Sequence, residues 1–162
     1  MRKGLIAATA ATALIAAAPA QAARGTYAGT VTDTSGKIAL DVKIKRGLVV
    51  KVTEIRFTDV PSTCEISGPG AQVRHTVTDA NLPVKTNGRF RGTFTQPEYG
   101  NVSTLRGRIV HKHVSGTFHI NYHYPAEDTY PEENCDTGTL AYTGKLGAPD
   151  ETLTAATSKV GR

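Results

Sequence analysis

The sequence predicts an all-β protein, an antiparallel β-sandwich or small barrel of about eight strands with one disulfide. From Arg24 to Leu146, Gly, Pro, Asn or Asp interrupts the chain roughly every eight to twelve residues, the spacing of short strands and turns. Between these marks the residues are β-branched, aromatic or strictly alternating. No window carries the 3.6-residue apolar period of a long amphipathic helix.

GTYAGTVT (25–32) reads as the first strand and TDTSG (32–36) as a turn. KIALDVKIK (37–45) alternates, with Ile38, Leu40, Val42 and Ile44 on one face. Arg46-Gly47 turns the chain into LVVKVTEIRF (48–57), and TDVPSTCEISGPG (58–70) reads as irregular. AQVRHTVT (71–78) is the next strand, followed by a short extended piece around Leu82 to Lys85 and the hairpin signal Asn87-Gly88. RFRGTFT (89–95) sets Phe90 and Phe94 on one side. VSTLRGRIVHKH (102–113) and TFHINYHY (117–124) follow, with a turn expected at Ser115-Gly116. The loop PAEDTYPEENCD (125–136) precedes a last strand in TGTLAYTGKL (137–146).

Residues 1–22 have the pattern of a secretory signal peptide. Arg2 and Lys3 precede an apolar run, and Ala20-Gln21-Ala22 is a small-x-small cleavage site. The folded domain is therefore expected over residues 23–146, with 147–162 a disordered C-terminal tail. Without Arg2 and Lys3 the net charge falls from +5 to +3, which gives no reason to expect a nucleic-acid partner. No second apolar run is long enough to insert into a membrane. The expected product is secreted or held at the cell surface, and monomeric. Its two cysteines, Cys64 and Cys135, are expected to pair in an oxidising compartment, because two distant thiols without C-x-x-C spacing make a poor metal or redox motif.

HKHVSGTFHINYH (111–123) holds four of the five histidines. If Val114 to Gly116 formed a three-residue loop, His111, His113, His119 and His123 would share a face and could bind a metal. A loop of two residues (Ser115-Gly116) or four (113–116) instead puts Phe118, Ile120, Tyr122 and Tyr124 with Leu105 and Ile109. His119 and His123 then join Arg106, Arg108 and Lys112 on the opposite face. A one-residue slip would expose a whole apolar face, so the even loops are expected and the histidines divide between faces. The metal centre remains the alternative reading. A cupin-like site lacks its Glu, a copper-zinc dismutase-like site its Asp-bearing loop, and a blue-copper site its Met.

Arg89 and Arg91 share one strand face, as do Arg106 and Arg108 on the next strand. Placed side by side, they would form a cationic strip suited to sulfate, phosphate or uronate groups. Five carboxylates from Glu127 to Asp136 describe a solvated loop able to pair with that strip. The sequence contains no nucleophile elbow, zincin helix, phosphate loop or S-x-x-K serine, so no cofactor and no catalytic residue is assigned.

Gly25, Tyr27 and Gly29, then Cys64, Gly88 and Phe90, and finally Cys135 and Gly138 form a pattern that resembles small exported bacterial β-proteins of unassigned function. The resemblance implies a fold and a compartment and carries no catalytic residue. The functional expectation is a secreted, non-catalytic binding or structural module that engages an anionic cell-surface polymer. A metal-binding protein or metalloenzyme, and a carrier of a small apolar ligand, are the alternatives.

Overall fold

The computed structural model describes residues 22–96, 100–126 and 131–154; the leader pattern, apart from Ala22, and residues 155–162 lie outside them. Ten strands follow in order: β1 (Ala23–Val31), β2 (Lys37–Lys45), β3 (Leu48–Cys64), β4 (Gly68–Val77), β5 (Leu82–Pro83), β6 (Arg89–Gln96), β7 (Asn101–Val110), β8 (His113–Tyr124), β9 (Glu133–Asp136) and β10 (Leu140–Leu146). One helical turn, α1 (Glu151–Thr154), comes last. The expected all-β, antiparallel architecture is present, with two short strands, β5 and β9, beyond the roughly eight expected.

The strands pair in the order β10-β1-β2-β3-β9-β8-β7-β6, and β4 and β5 pair β3. Because β10 also pairs β8, the run β8–β10–β1–β2–β3–β9 returns to β8 as a closed circuit. β3 (17 residues) and β8 (12 residues) are its longest strands, and β9 pairs both.

Alternation decides which residues meet inside. Ile38, Leu40 and Val42 of β2 are buried, and Ile44 packs against the same core. Phe90, Leu105, Ile109, Phe118 and Ile120 bury the inner side of β6, β7 and β8. Phe57 meets Phe118 with ring centroids 4.5 Å apart, and Phe118 meets Tyr142 at 6.2 Å. Tyr27, Phe57, Phe118 and Tyr142 are among the largest side chains buried in this core.

Three expectations are corrected. The stretch 58–64, read as irregular, continues β3 to Cys64. Its pairing shifts register between Phe57 and Val60, around Asp59 in the left-handed region (φ 55°). Pro61 is accommodated because the ladder to β2 ends at Thr58 and that to β9 begins at Thr63. Second, the β7–β8 turn is His111-Lys112, since Val110 pairs His113 and Ile109 pairs Val114. Third, the tail expected to be disordered from Gly147 docks as far as α1.

That docking centres on Arg56, whose side chain is only 12% exposed. Its Nη1 lies 2.8 Å from Asp41 Oδ2 and 2.6 Å from Glu54 Oε1, and its Nη2 lies 2.7 Å from Asp150 Oδ2. Its Nε donates to Thr152 Oγ1, and Lys37 meets Glu151 at 2.8 Å. Burial opposes the charge on Asp41, but bonds from Arg56 and Thr26 outweigh it and hold the carboxyl below its ordinary value. Reciprocally, the Asp41 bond leads in raising the Arg56 guanidinium.

Cys64 and Cys135 are directly opposite each other on β3 and β9 and form the disulfide. Both are buried, and no free cysteine is present. A buried disulfide suits an oxidising, extracytoplasmic compartment. No helix among the described residues is long and apolar enough to cross a membrane.

His75 is the buried histidine, on the inner face of β4 with Val73 and Val77, its ring edge-on to Tyr122 at 6.5 Å. Burial holds its imidazole below the ordinary value. The unfolded chain therefore binds the proton first, and the His75 contribution to stability is lost as pH falls below about 6.5. Denaturant unfolding at a series of pH values should show this as a slope of at most ~1.4 kcal/mol per pH unit. His75→Gln should flatten the slope in that window; an unchanged slope would assign it to other groups.

Candidate anion-binding face

The register of β6 and β7 follows from their inner faces. Phe90 opposite Gly107 and Gly92 opposite Leu105 point inward, so the residues between them point out. Arg89 is consequently opposite Arg108, and Arg91 opposite Arg106. All four are exposed. Strands lie ~4.8 Å apart and alternate residues ~6.8 Å apart, so the four side chains rise from the corners of a rectangle of that size.

Like charges directly opposite on neighbouring strands repel. Among the described residues no carboxylate lies within 4.0 Å of any of the four guanidinium groups. Arg56 shows the contrast: where an arginine serves the fold, three carboxylates surround it. Arg106 Nε donates to Thr117 Oγ1 (2.8 Å) and Arg108 Nε to the Asn87 carbonyl (3.2 Å). Those bonds orient the guanidinium planes and use only Nε, which leaves the Nη groups for a bidentate partner. The arginines line a groove of about 750 Å³ with Lys85, Ser115 and Thr117.

Gly107 and Gly116 face each other on β7 and β8 beneath this groove. A Cβ on Gly116 would collide with the Arg106 carbonyl oxygen and come within 2.7 Å of both Gly107 Cα and the Tyr142 hydroxyl. Tyr142 fills the space the glycines leave, its hydroxyl 3.4 Å from the Arg106 carbonyl oxygen. Gly116 is therefore a packing residue within β8, which is why its reading as a turn residue fails. Tyr27 pins the true turn by donating to the His111 carbonyl at 2.9 Å.

The histidines do not gather. The loop is even, as the hydrophobic pattern requires, but His113 moves to the outward face with His119 and His123. At ~3.3 Å per residue, His113 and His119 are ~20 Å apart along β8, and His119 and His123 ~13 Å, too far to share an ion. His111 sits in the turn with φ 55°. His119 is opposite Thr104, and its Nε2 lies 2.7 Å from Asp136 Oδ2, so a carboxylate faces it rather than the expected cations. Burial opposes ionisation of Asp136, but the His119 bond and the Gly138 N–H outweigh it and lower its carboxyl. His123 Nδ1 is 3.0 Å from Asn134 Oδ1, and its Nε2 is 3.5 Å from Glu132. Among the described residues the one metal-like trio is Cys64, Glu133 and Cys135, whose sulfurs are joined to each other.

The described acids of the loop, Glu132, Glu133 and Asp136, also lie elsewhere than expected. Glu133 accepts from the Ile66 and Ser67 N–H groups and the Ser67 hydroxyl, closing the β3–β4 turn. The Ser67 N–H, then its hydroxyl, holds the Glu133 carboxyl below its ordinary value. With Asp136 on His119 and Glu132 near His123, the described acids stand apart from the arginines; Glu127 and Asp128 lie outside the described residues.

Sequence reading found the arginines but missed Lys85, Ser115 and Thr117. The sequence signals a turn at Ser115, and only the pairing of Gly107 with Gly116 brings it beside Arg108. Comparison of the chain with known protein families, curated proteins and solved structures finds no match.

Proposed function

We propose that this protein is an exported, non-catalytic binding module that engages an anionic cell-surface polymer through Arg89, Arg91, Arg106 and Arg108. The observation that carries this reading is the two cross-strand Arg–Arg pairs without a described carboxylate beside them. Such an arrangement is unfavourable for the free protein and becomes favourable when an anion lies across it. The leader pattern and the buried disulfide support an extracytoplasmic setting.

Binding of an acidic polysaccharide, measured by calorimetry at several ionic strengths, should weaken steeply with added salt. Arg106→Gln with Arg108→Gln should cut affinity about tenfold, two exposed charged contacts of roughly 0.7 kcal/mol each, and reduce the salt dependence. Affinity and salt slope unchanged by the double substitution would overturn the proposal.

A further inference from the structure

The strand registers place one row of exposed residues straight across five strands. Arg89 on β6 is opposite Arg108 on β7, which is opposite Ser115 on β8. Ser115 is opposite Thr143 on β10, and Thr143 is opposite Thr30 on β1. All five are exposed, so their side chains form a continuous ladder, two guanidinium groups followed by three hydroxyls. Four inter-strand gaps of ~4.8 Å make it about 19 Å long. Arg91 and Arg106 flank its β6–β7 end, and Lys145, opposite His113, flanks it on β10. The arginine groove continues into a second one of about 380 Å³, which Arg108 and Ser115 share with Thr30, Thr143 and Lys145.

We infer that this row is the track for an acidic polysaccharide chain lying across the strands, with its acid groups on the arginines and neutral sugar hydroxyls on Ser115, Thr143 and Thr30. The inference rests on the arginine reading and adds a ligand class, a direction and a length. Hydroxyl side chains both donate and accept, which suits sugar hydroxyls; a chain of bare anions would use only their donor side. Among the described residues the aromatic rings lining the two grooves are Phe90, 4% exposed and part of the core, and the single exposed imidazole of His113, so the track offers no succession of rings on which nucleobases could stack.

The test measures affinities of oligouronates of two and six units, and of inorganic polyphosphate, for the wild type and for Ser115→Ala with Thr143→Val. Both substitutions are at exposed strand positions and leave the charges in place. The hexamer should bind the wild type more tightly than the dimer. The double variant should lose about five- to tenfold in hexamer affinity, the effect of one or two hydrogen bonds, with its salt dependence unchanged. Dimer affinity should fall less than hexamer affinity, because Ser115 borders the arginine groove whereas Thr143 lies beyond it. Hexamer affinity unaffected by the substitutions would overturn the track while leaving arginine binding intact. Polyphosphate binding as tightly as the hexamer would overturn the sugar assignment. If neither oligouronate nor polyphosphate binds, the arginine reading falls as well.

Discussion

Replacing Cys64 and Cys135 together by alanine is expected to lower stability by ~4 kcal/mol, the chain-entropy value for a cross-link between residues this far apart. The two cysteines are 71 residues apart in sequence, so the unfolded chain regains a large loop when the bond is removed. The native state loses a local anchor as well. β9 meets β3 through only Thr63 and Cys64, and those two pairs close one side of the strand circuit. Domains of this size have roughly 5–15 kcal/mol in all, so the loss is a large fraction. Thermal unfolding should shift down by about 10–20 °C. Hydrogen exchange should rise first in β9 and in the Glu65–Ser67 turn that Glu133 holds. A melting temperature within a few degrees of the wild type would mean that the β8–β9 ladder alone fixes that side.

Gly116→Ala should be nearly as damaging, for a different reason. Its Cβ would enter the Arg106 carbonyl oxygen and the Tyr142 hydroxyl, and backbone cannot move aside as a flexible side chain can. The expected cost is about 3 kcal/mol or more, the upper end of overpacking, read as a lower denaturant midpoint. Gly138→Ala supplies the control. Gly138 has φ +63° and open space where a Cβ would go, so that substitution should cost only about 1 kcal/mol of left-handed strain. Equal effects of the two would show that backbone conformation, not the close approach of β7 and β8, fixes Gly116. A Gly116→Ala protein that folds with displaced arginines should also bind polyanions less tightly.

These two sites mark what the sequence reveals and what it conceals. KIALDVKIK is legible because alternation is a local signal and Ile38, Leu40 and Val42 on one face of β2 are buried, with Ile44 partly so. The pairing of Cys64 with Cys135 is legible because chemistry leaves two cysteines few options. The β7–β8 turn is not, because Ser115-Gly116 carries a stronger local turn signal than His111-Lys112. What overrides it is tertiary: Tyr142, reaching in from β10, needs the space a side chain on Gly116 would take. Parity survives that error because the apolar face constrains it, so Leu105 and Ile109 still face inward and the arginines outward. The register itself does not survive, which is why the hydroxyl half of the ladder is missed. The docked tail is invisible for a similar reason: Arg56 and Asp150 are 94 residues apart, and nothing near Asp150 announces its partner.

The candidate site was therefore half legible. Two pairs of arginines at alternate positions can be read directly, and their outward direction follows from Phe90 and Leu105. Their exact opposition across β6 and β7, and the absence of described carboxylates around them, are properties of the folded sheet.

The most direct measurement is a titration of isotope-labelled protein with an oligouronate, followed by amide chemical shifts. The account predicts that the largest changes map to Arg89, Arg91, Arg106 and Arg108 and extend along the row to Ser115 and Thr143. Changes centred instead on His119, His123 and Asp136, or scattered without a focus, would contradict it.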